Sequence, residues 1–220
     1  MPPAVVVFDL FGTLLDISSL RSAIAPLCDD PAAFVATWRE KQIAYAFASA
    51  VMDRYEDFDA ITGYALQYAA AKYDVRLGDA QHAELVRAWA AADAYPDARA
   101  AVDDLRAAGH RCAVLTNGTP VTSHAALERS GLAPLLDDVL FVGRAGVYKP
   151  DHRVYALVTE RYAVAADDVV FVTSNGWDAT GATAFGFRVA WCNRGGAPAE
   201  TFGPPPRWTI AGLDALAALL

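Results

Sequence analysis

The segment VVVFDLFGTLLD, residues 5–16, places a carboxylate, Asp9, directly after a run of apolar residues. A charge at the end of a buried strand is costly unless something pairs it. A carboxylate held there by short donors can act as a nucleophile. It would form an ester with carbon or an acyl phosphate with phosphorus. Gly12 permits a tight turn just behind Asp9, and the Thr13 hydroxyl can hold the carboxylate. Three later segments carry similar chemistry. VLTNGT offers Thr116 and Asn117, GVYKPD offers Lys149 ahead of a rigid Pro150, and VTSNGWDATGA offers Thr173, Asn175 and Asp178. Each has an ordinary structural explanation when taken alone. Asn117 and Asp178 suit helix caps, and a lone lysine suits solvent. If Lys149 instead reaches Asp9, it keeps that carboxylate ionised.

These residues need elements to bring them together. AVVVF reads as a buried strand, uniformly apolar rather than alternating. HRCAVLTN and DVVFVTSN repeat the pattern of strand followed by small or polar residues, and DVLFVG and RVAWCN are shorter candidates. Helical stretches lie between them: PDARAAVDDLRAAG, PVTSHAALERSG and HRVYALVTERYA, with Gly109 and Gly131 as helix-ending glycines. Strands alternating with helices predict an α/β fold, a parallel sheet flanked by helices. Ligands in such sheets gather beyond the carboxyl ends of the strands, where Asp9, Thr116 and the 173–178 group all fall. From about residue 18 to 92 the pattern is helical without strands, which predicts an inserted helical cap domain. The core would then comprise residues 1–17 and 93–220. Residues 195–206 read as a glycine- and proline-rich loop, and IAGLDALAALL as a closing helix.

Composition narrows the function classes. The 220 residues suffice for one domain with an insertion, or for two unequal domains. The net charge of -8 argues against nucleic-acid and anionic-membrane partners, which are met with basic surface. No apolar run reaches the length of a membrane span, and the N-terminus does not read as a signal peptide. The expected setting is cytoplasmic. Cys28, Cys112 and Cys192 form no close pair and read as small buried hydrophobes.

Taken together and in this order, FDLFGTLLD, LTNGT, VYKPD and SNGWDATGA resemble the motifs of the haloacid dehalogenase superfamily, in the form found in its L-2-haloacid dehalogenases. In the helical insert, WREKQIAYAF and DRYEDF are similar to that family's cap segments. The resemblance runs over essentially the whole chain. It implies a HAD-like Rossmannoid core with a cap, no cofactor, no metal and a homodimer. The implied activity is hydrolysis of short 2-haloalkanoic acids through an ester on Asp9, with inversion at the carbon. The substrate would be a small anionic haloacid.

Roles follow residue by residue from the resemblance. Asp9 is the nucleophile, Lys149 keeps it charged, and Thr13 and Thr173 orient their neighbours. Arg39 and Asn117 receive the halide, while the Leu10–Phe11 backbone and Thr116 meet the substrate carboxylate. Asp178 polarises the hydrolytic water, Asn175 positions it and Tyr155 holds that network. Phe11, Ile43, Phe58 and Trp177 shape the apolar side. Three positions depart from the family pattern: Thr116 and Thr173 stand where serine is common, and Glu40 replaces a glutamine beside the arginine. A Glu40 facing substrate would repel an anion; one facing outward would do little.

Phe11 separates two enzymatic readings. Phosphoryl-transfer members of this superfamily carry an aspartate at that position and an acidic residue where this chain has Asn175. A magnesium-dependent phosphohydrolase is therefore the weaker alternative, because several hard oxygen ligands are missing. A non-catalytic binding protein of the same fold would have no need of Asp9, Arg39, Lys149 and Asp178 together. A dinucleotide-binding reading fails for lack of a GxGxxG after the first strand.

Overall fold

The computed structural model describes residues 5–220. In chain order its elements are β1 (Val5–Phe8), β2 (Leu15–Asp16), α1 (Arg21–Ile24), α2 (Pro31–Val51), α3 (Phe58–Lys72), α4 (Asp79–Ala88), β3 (Asp93–Ala94), α5 (Ala98–Ala107), β4 (Arg111–Thr116), α6 (Pro120–Arg129), β5 (Asp138–Phe141), α7 (His152–Tyr162), β6 (Val169–Thr173), α8 (Gly176–Phe185), β7 (Arg188–Cys192) and β8 (Trp208–Ile210). The architecture is α/β. A six-stranded sheet runs β5-β4-β1-β6-β7-β8, and its pairings are parallel. β1 lies in the middle of this sheet and is buried along its length, which explains its unbroken apolar sequence. Its neighbours are in register: Phe8 stands opposite Val114 of β4 and Val172 of β6. Residues just past those positions, Asp9, Thr116 and Thr173, therefore emerge side by side at the carboxyl end of the sheet.

The helices start where the sequence supplies caps. Asp30, Asp57, Thr119 and Asp151 each accept a backbone N–H from the first turn of α2, α3, α6 and α7. Gly109 and Gly131 take positive φ just past α5 and α6, as helix-ending glycines do. The closing segment differs from expectation. It contributes a sixth strand, β8, and then a 3-10 helix, Leu213–Ala218, rather than an α-helix. Asn193 donates to the Ile210 carbonyl at 2.8 Å, which ties this segment to the end of β7. Leu213 and Leu216, three apart, are both buried, a spacing that suits the tighter helix.

The chain packs as two compact units. The first contains the sheet: residues up to Asp16, then Ala94–Asn117 and Gly131–Leu220. The second is helical: Ile17–Asp93 with Gly118–Ser130. In the helical unit α2 packs along α3, α3 against α4, and α6 against the turn Trp89–Ala91. The start of α6 is tied to α3 by Asp59, whose Oδ2 accepts from the Thr119 and Thr122 hydroxyls at 2.8 Å each. Cys112 and Cys192 are buried in β4 and β7; Cys28 is half-exposed. Burial pushes the Cys112 thiol up to about 12, so it stays protonated. Among the described residues no helix is long and apolar enough to cross a membrane.

Candidate active site

Asp9 follows the last residue of β1, and its backbone N–H continues the ladder to the Val172 carbonyl at 2.9 Å. The chain then turns sharply at Gly12, whose φ of +96° favours glycine. This turn carries Thr13 back beneath the carboxylate. The Thr13 hydroxyl donates to Asp9 Oδ2 at 2.9 Å and accepts the Ser174 N–H at 2.9 Å. Asn175 Nδ2 donates to the same oxygen at 3.0 Å. Lys149 Nζ takes the other oxygen, Oδ1, at 2.7 Å. The buried carboxylate is thus held on both oxygens by residues from three separate strand ends and loops.

Lys149 has a second carboxylate partner. Its ammonium donates to Asp178 Oδ2 at 2.8 Å, and Tyr155 donates to Asp178 Oδ1 at 2.7 Å. Lys149 is 1% exposed and Asp178 is fully buried, so each depends on the other for its charge. Burial disfavours the Lys149 ammonium, yet Asp178 and Asp9 outweigh it and its pKa rises above 10.5. Burial lifts the Asp178 carboxyl above 3.8; Lys149 opposes the rise and Asp9 adds to it. The Tyr155 phenol lies well above 10, through burial and the Asp178 charge, and remains a donor. Its ring packs edge-on against Phe171 and Phe187, so Tyr155 is at once a core residue and a hydrogen-bond donor to the site.

The surrounding residues divide by role. Asn117 Oδ1 accepts the Lys149 backbone N–H at 3.1 Å, which fixes the amide with its N–H donors on the opposite side. Asn117 is therefore not the cap of α6; Thr119 is. Asp178 likewise spends its carboxylate on Lys149 and Tyr155 rather than on capping α8. The Thr173 hydroxyl accepts the Asn175 N–H at 3.1 Å, and Thr116 is buried at the end of β4. Leu10 and Phe11 are buried in the turn, and Trp177 is half-buried in the first turn of α8.

The remaining sequence candidates lie in the helical unit. Arg39 is half-buried on α2, its guanidinium 5.7 Å from the centre of the Trp89 ring. Ile43 is half-buried one turn later, and Phe58 is buried at the start of α3. Glu40 is exposed, in a stripe with Ala36, Ala44 and Ala48 along one side of α2.

Two features near Asp9 escape sequence reasoning. A Cβ on Gly181 would lie 2.4 Å from Pro150 Cβ and 2.9 Å from the Tyr155 hydroxyl. The glycine thus lets α8 approach the Lys149 loop closely enough for Asp178 to reach its partners. Arg194 binds Asp97 through two N–H groups at 2.6 and 2.9 Å and donates to the Thr13 carbonyl at 3.4 Å. It braces the turn from behind. Nothing local signals either one: Gly181 reads as a small helix residue, and Arg194 sits at the edge of a loop.

Chemically, the arrangement holds the Asp9 carboxylate at a sheet end with the buried Lys149 ammonium and a second carboxylate behind it. It suits a magnesium ion poorly. All four oxygens of Asp9 and Asp178 already accept N–H or O–H donors, and an ammonium lies where a cation would draw them. Among the described residues no group of three His, Cys, Asp or Glu side chains could hold a metal ion.

A family model described as haloacid dehalogenase-like hydrolase matches residues 3–186. The chain belongs to that family. Within it, the chain is 33% identical over 219 residues to an (S)-2-haloacid dehalogenase of Pseudomonas sp. (strain YL), covering 97% of this chain and 93% of the relative. It is 31% identical to haloacetate dehalogenase H-2 of Moraxella sp. (strain B), with coverages of 98% and 96%. Among solved structures it resembles the L-2-haloacid dehalogenase of Xanthobacter autotrophicus with chloropropionic acid covalently bound. The TM-score is 0.92 and the identity 32%, over 99% of this chain and 98% of that one.

Proposed function

We propose that this hydrolase is a 2-haloacid dehalogenase that converts short (S)-2-haloalkanoic acids and haloacetates to hydroxy acids with inversion. The observation that carries the reading is Asp9 itself: a buried carboxylate between Lys149, Thr13 and Asn175, with an apolar Phe11 where phosphoryl-transfer relatives need an acid. The names of the relatives support the same reaction.

In the first step an Asp9 oxygen attacks the halogen-bearing carbon from behind. A carbon–oxygen bond forms as the carbon–halogen bond breaks, and the electron pair leaves with the halide. No proton is needed. Fixing the carboxylate in line with that bond supplies up to roughly 7–11 kcal/mol of rate enhancement when alignment is ideal. Arg39 and the Asn117 N–H donors are assigned to the departing halide, Arg39 on its motif match and Asn117 on its fixed amide as well. The Leu10–Phe11 backbone and Thr116 are assigned to the substrate carboxylate; Phe11, Ile43, Phe58 and Trp177 to its apolar part.

In the second step water adds to the Asp9 carbonyl carbon. Esterification has removed the Asp9 charge, so Lys149 is balanced by Asp178 alone. Asp178 takes one proton from the water and passes it to the alkoxide as the intermediate collapses. The other proton goes to solvent, restoring the Asp9 carboxylate. Donors already on the Asp9 oxygens, from Thr13, Asn175 and Lys149, stabilise the oxyanion. Thr173 supports this arrangement through its bond to the Asn175 N–H. The account needs no metal or organic cofactor. A cytoplasmic homodimer is part of the same proposal; the dimer rests on the resemblance.

Chloride titration tests the reading. Metal-free protein should release chloride from (S)-2-chloropropionate, and Asp9→Asn should release none. Magnesium-dependent phosphate release from an aryl phosphate, with no chloride from any haloacid, would sink the mechanism and the role given to Phe11.

A further inference from the structure

Arg39 is held by a chain of hydrogen bonds whose direction is forced from its far end. The Phe58 carbonyl can only accept, so the Thr62 hydroxyl donates to it, at 2.6 Å. Towards Gln42 the Thr62 oxygen must then accept, and Gln42 Nε2 donates to it at 2.5 Å. That choice turns the Gln42 carbonyl oxygen towards Arg39, whose guanidinium has only donors; Nη1 meets it at 2.6 Å. Gln42 and Thr62 are buried, and Trp38 Nε1 pins the Thr62 carbonyl at 2.9 Å. A buried glutamine that could flip would leave Arg39 facing an NH2 group. The Thr62 hydroxyl removes that freedom.

We propose that Gln42 and Thr62 are positioning residues that orient the Arg39 guanidinium for halide departure. This deepens the dehalogenase reading and rests on it. Neither residue touches the reacting atoms. Their effect is to fix Arg39 Nη1 on Gln42 Oε1, with the guanidinium carbon 5.7 Å from the centre of the Trp89 ring. The chain also joins Arg39 to Phe58, two of the candidates on separate helices.

The test is halide release within a single turnover, from (S)-2-chloropropionate and (S)-2-bromopropionate, with melting curves as a folding control. Chloride is the poorer leaving group and needs the guanidinium more. Thr62→Val and Gln42→Leu should each slow chloride release about tenfold, the scale of a lost bond to a charged group. Bromide release should slow less, so the chloride-to-bromide ratio falls. Thr62→Ser, which keeps the hydroxyl, should retain the ratio of the unmodified chain. The double variant should be little worse than either single one, because the chain acts as a unit. If Thr62→Val folds too poorly to assay, Gln42→Leu reads the same ratio. Equal slowing of both halides, or no slowing, in the folded variants would overturn the positioning role while leaving the dehalogenase reading intact. No halide from the unmodified chain would overturn both.

Discussion

Lys149 is buried between Asp9 and Asp178, 2.7 and 2.8 Å from their oxygens, and its removal leaves two carboxylates without a counter-charge. Lys149→Met should therefore abolish turnover and lower stability by about 3–5 kcal/mol, the usual cost of breaking a buried pair. The sign of the pH dependence follows from its raised pKa. Its contribution is complete below pH 10.5, the unfolded value, and is lost as pH climbs through the higher folded value. Denaturant melts of the two chains should diverge most near neutral pH and converge in strong alkali. Tyr155→Phe removes a donor that favours the ionised form of Asp178. Its carboxyl should rise further, and the acid limb of the ester-hydrolysis rate should move to higher pH. A profile that stays in place would separate Tyr155 from the hydrolytic base. At this scale the sequence was most legible where a residue type contradicts its setting, as a carboxylate ending an apolar strand does. Gln42 and Thr62 carried no such signal. Their meaning lies in a contact between residues twenty positions apart, which exists only once α2 packs on α3.

The central placement of β1 is what assembles the sheet side of the site. Parallel register with β4 and β6 delivers the loops after all three strands to one end. The uniformly apolar strands and helix-ending glycines made the alternation of strand and helix readable, because each reports burial or turning of its own segment. Partners across the fold were harder to read. α6 looked like any helix following a strand, yet Asp59 ties its start to α3. The closing segment looked helical because its leucines recur at three, a spacing shared by the 3-10 form. Gly181 belongs to this scale too, since it governs how closely α8 nears the Lys149 loop. Gly181→Ala should cost about 1–3 kcal/mol by overpacking and should slow both chemical steps, through displaced Asp178 and Tyr155. Full activity in that variant, measured beside its melting temperature, would show that α8 has room to move.

Across the whole molecule, a net charge of -8 surrounds a site proposed for an anionic substrate. The cations assigned to it are therefore local ones, Lys149 and Arg39, each held by specific partners rather than by a broad basic surface. The proposed homodimer predicts a sedimenting species of twice the 23.5 kDa chain mass at micromolar concentration. A single species at the chain mass would contradict it without touching the chemistry. The claim on which the chemistry depends is that Asp9 bonds to carbon. One turnover in oxygen-18 water, with enzyme in excess over (S)-2-chloropropionate, tests it most directly by mass spectrometry of product and protein. An ester mechanism places the heavy oxygen in the Asp9 carboxylate and leaves the first hydroxy acid unlabelled. Heavy oxygen in that first product, with none in the Asp9 peptide, would mean that water attacks the carbon directly and that Asp9 serves only as a base.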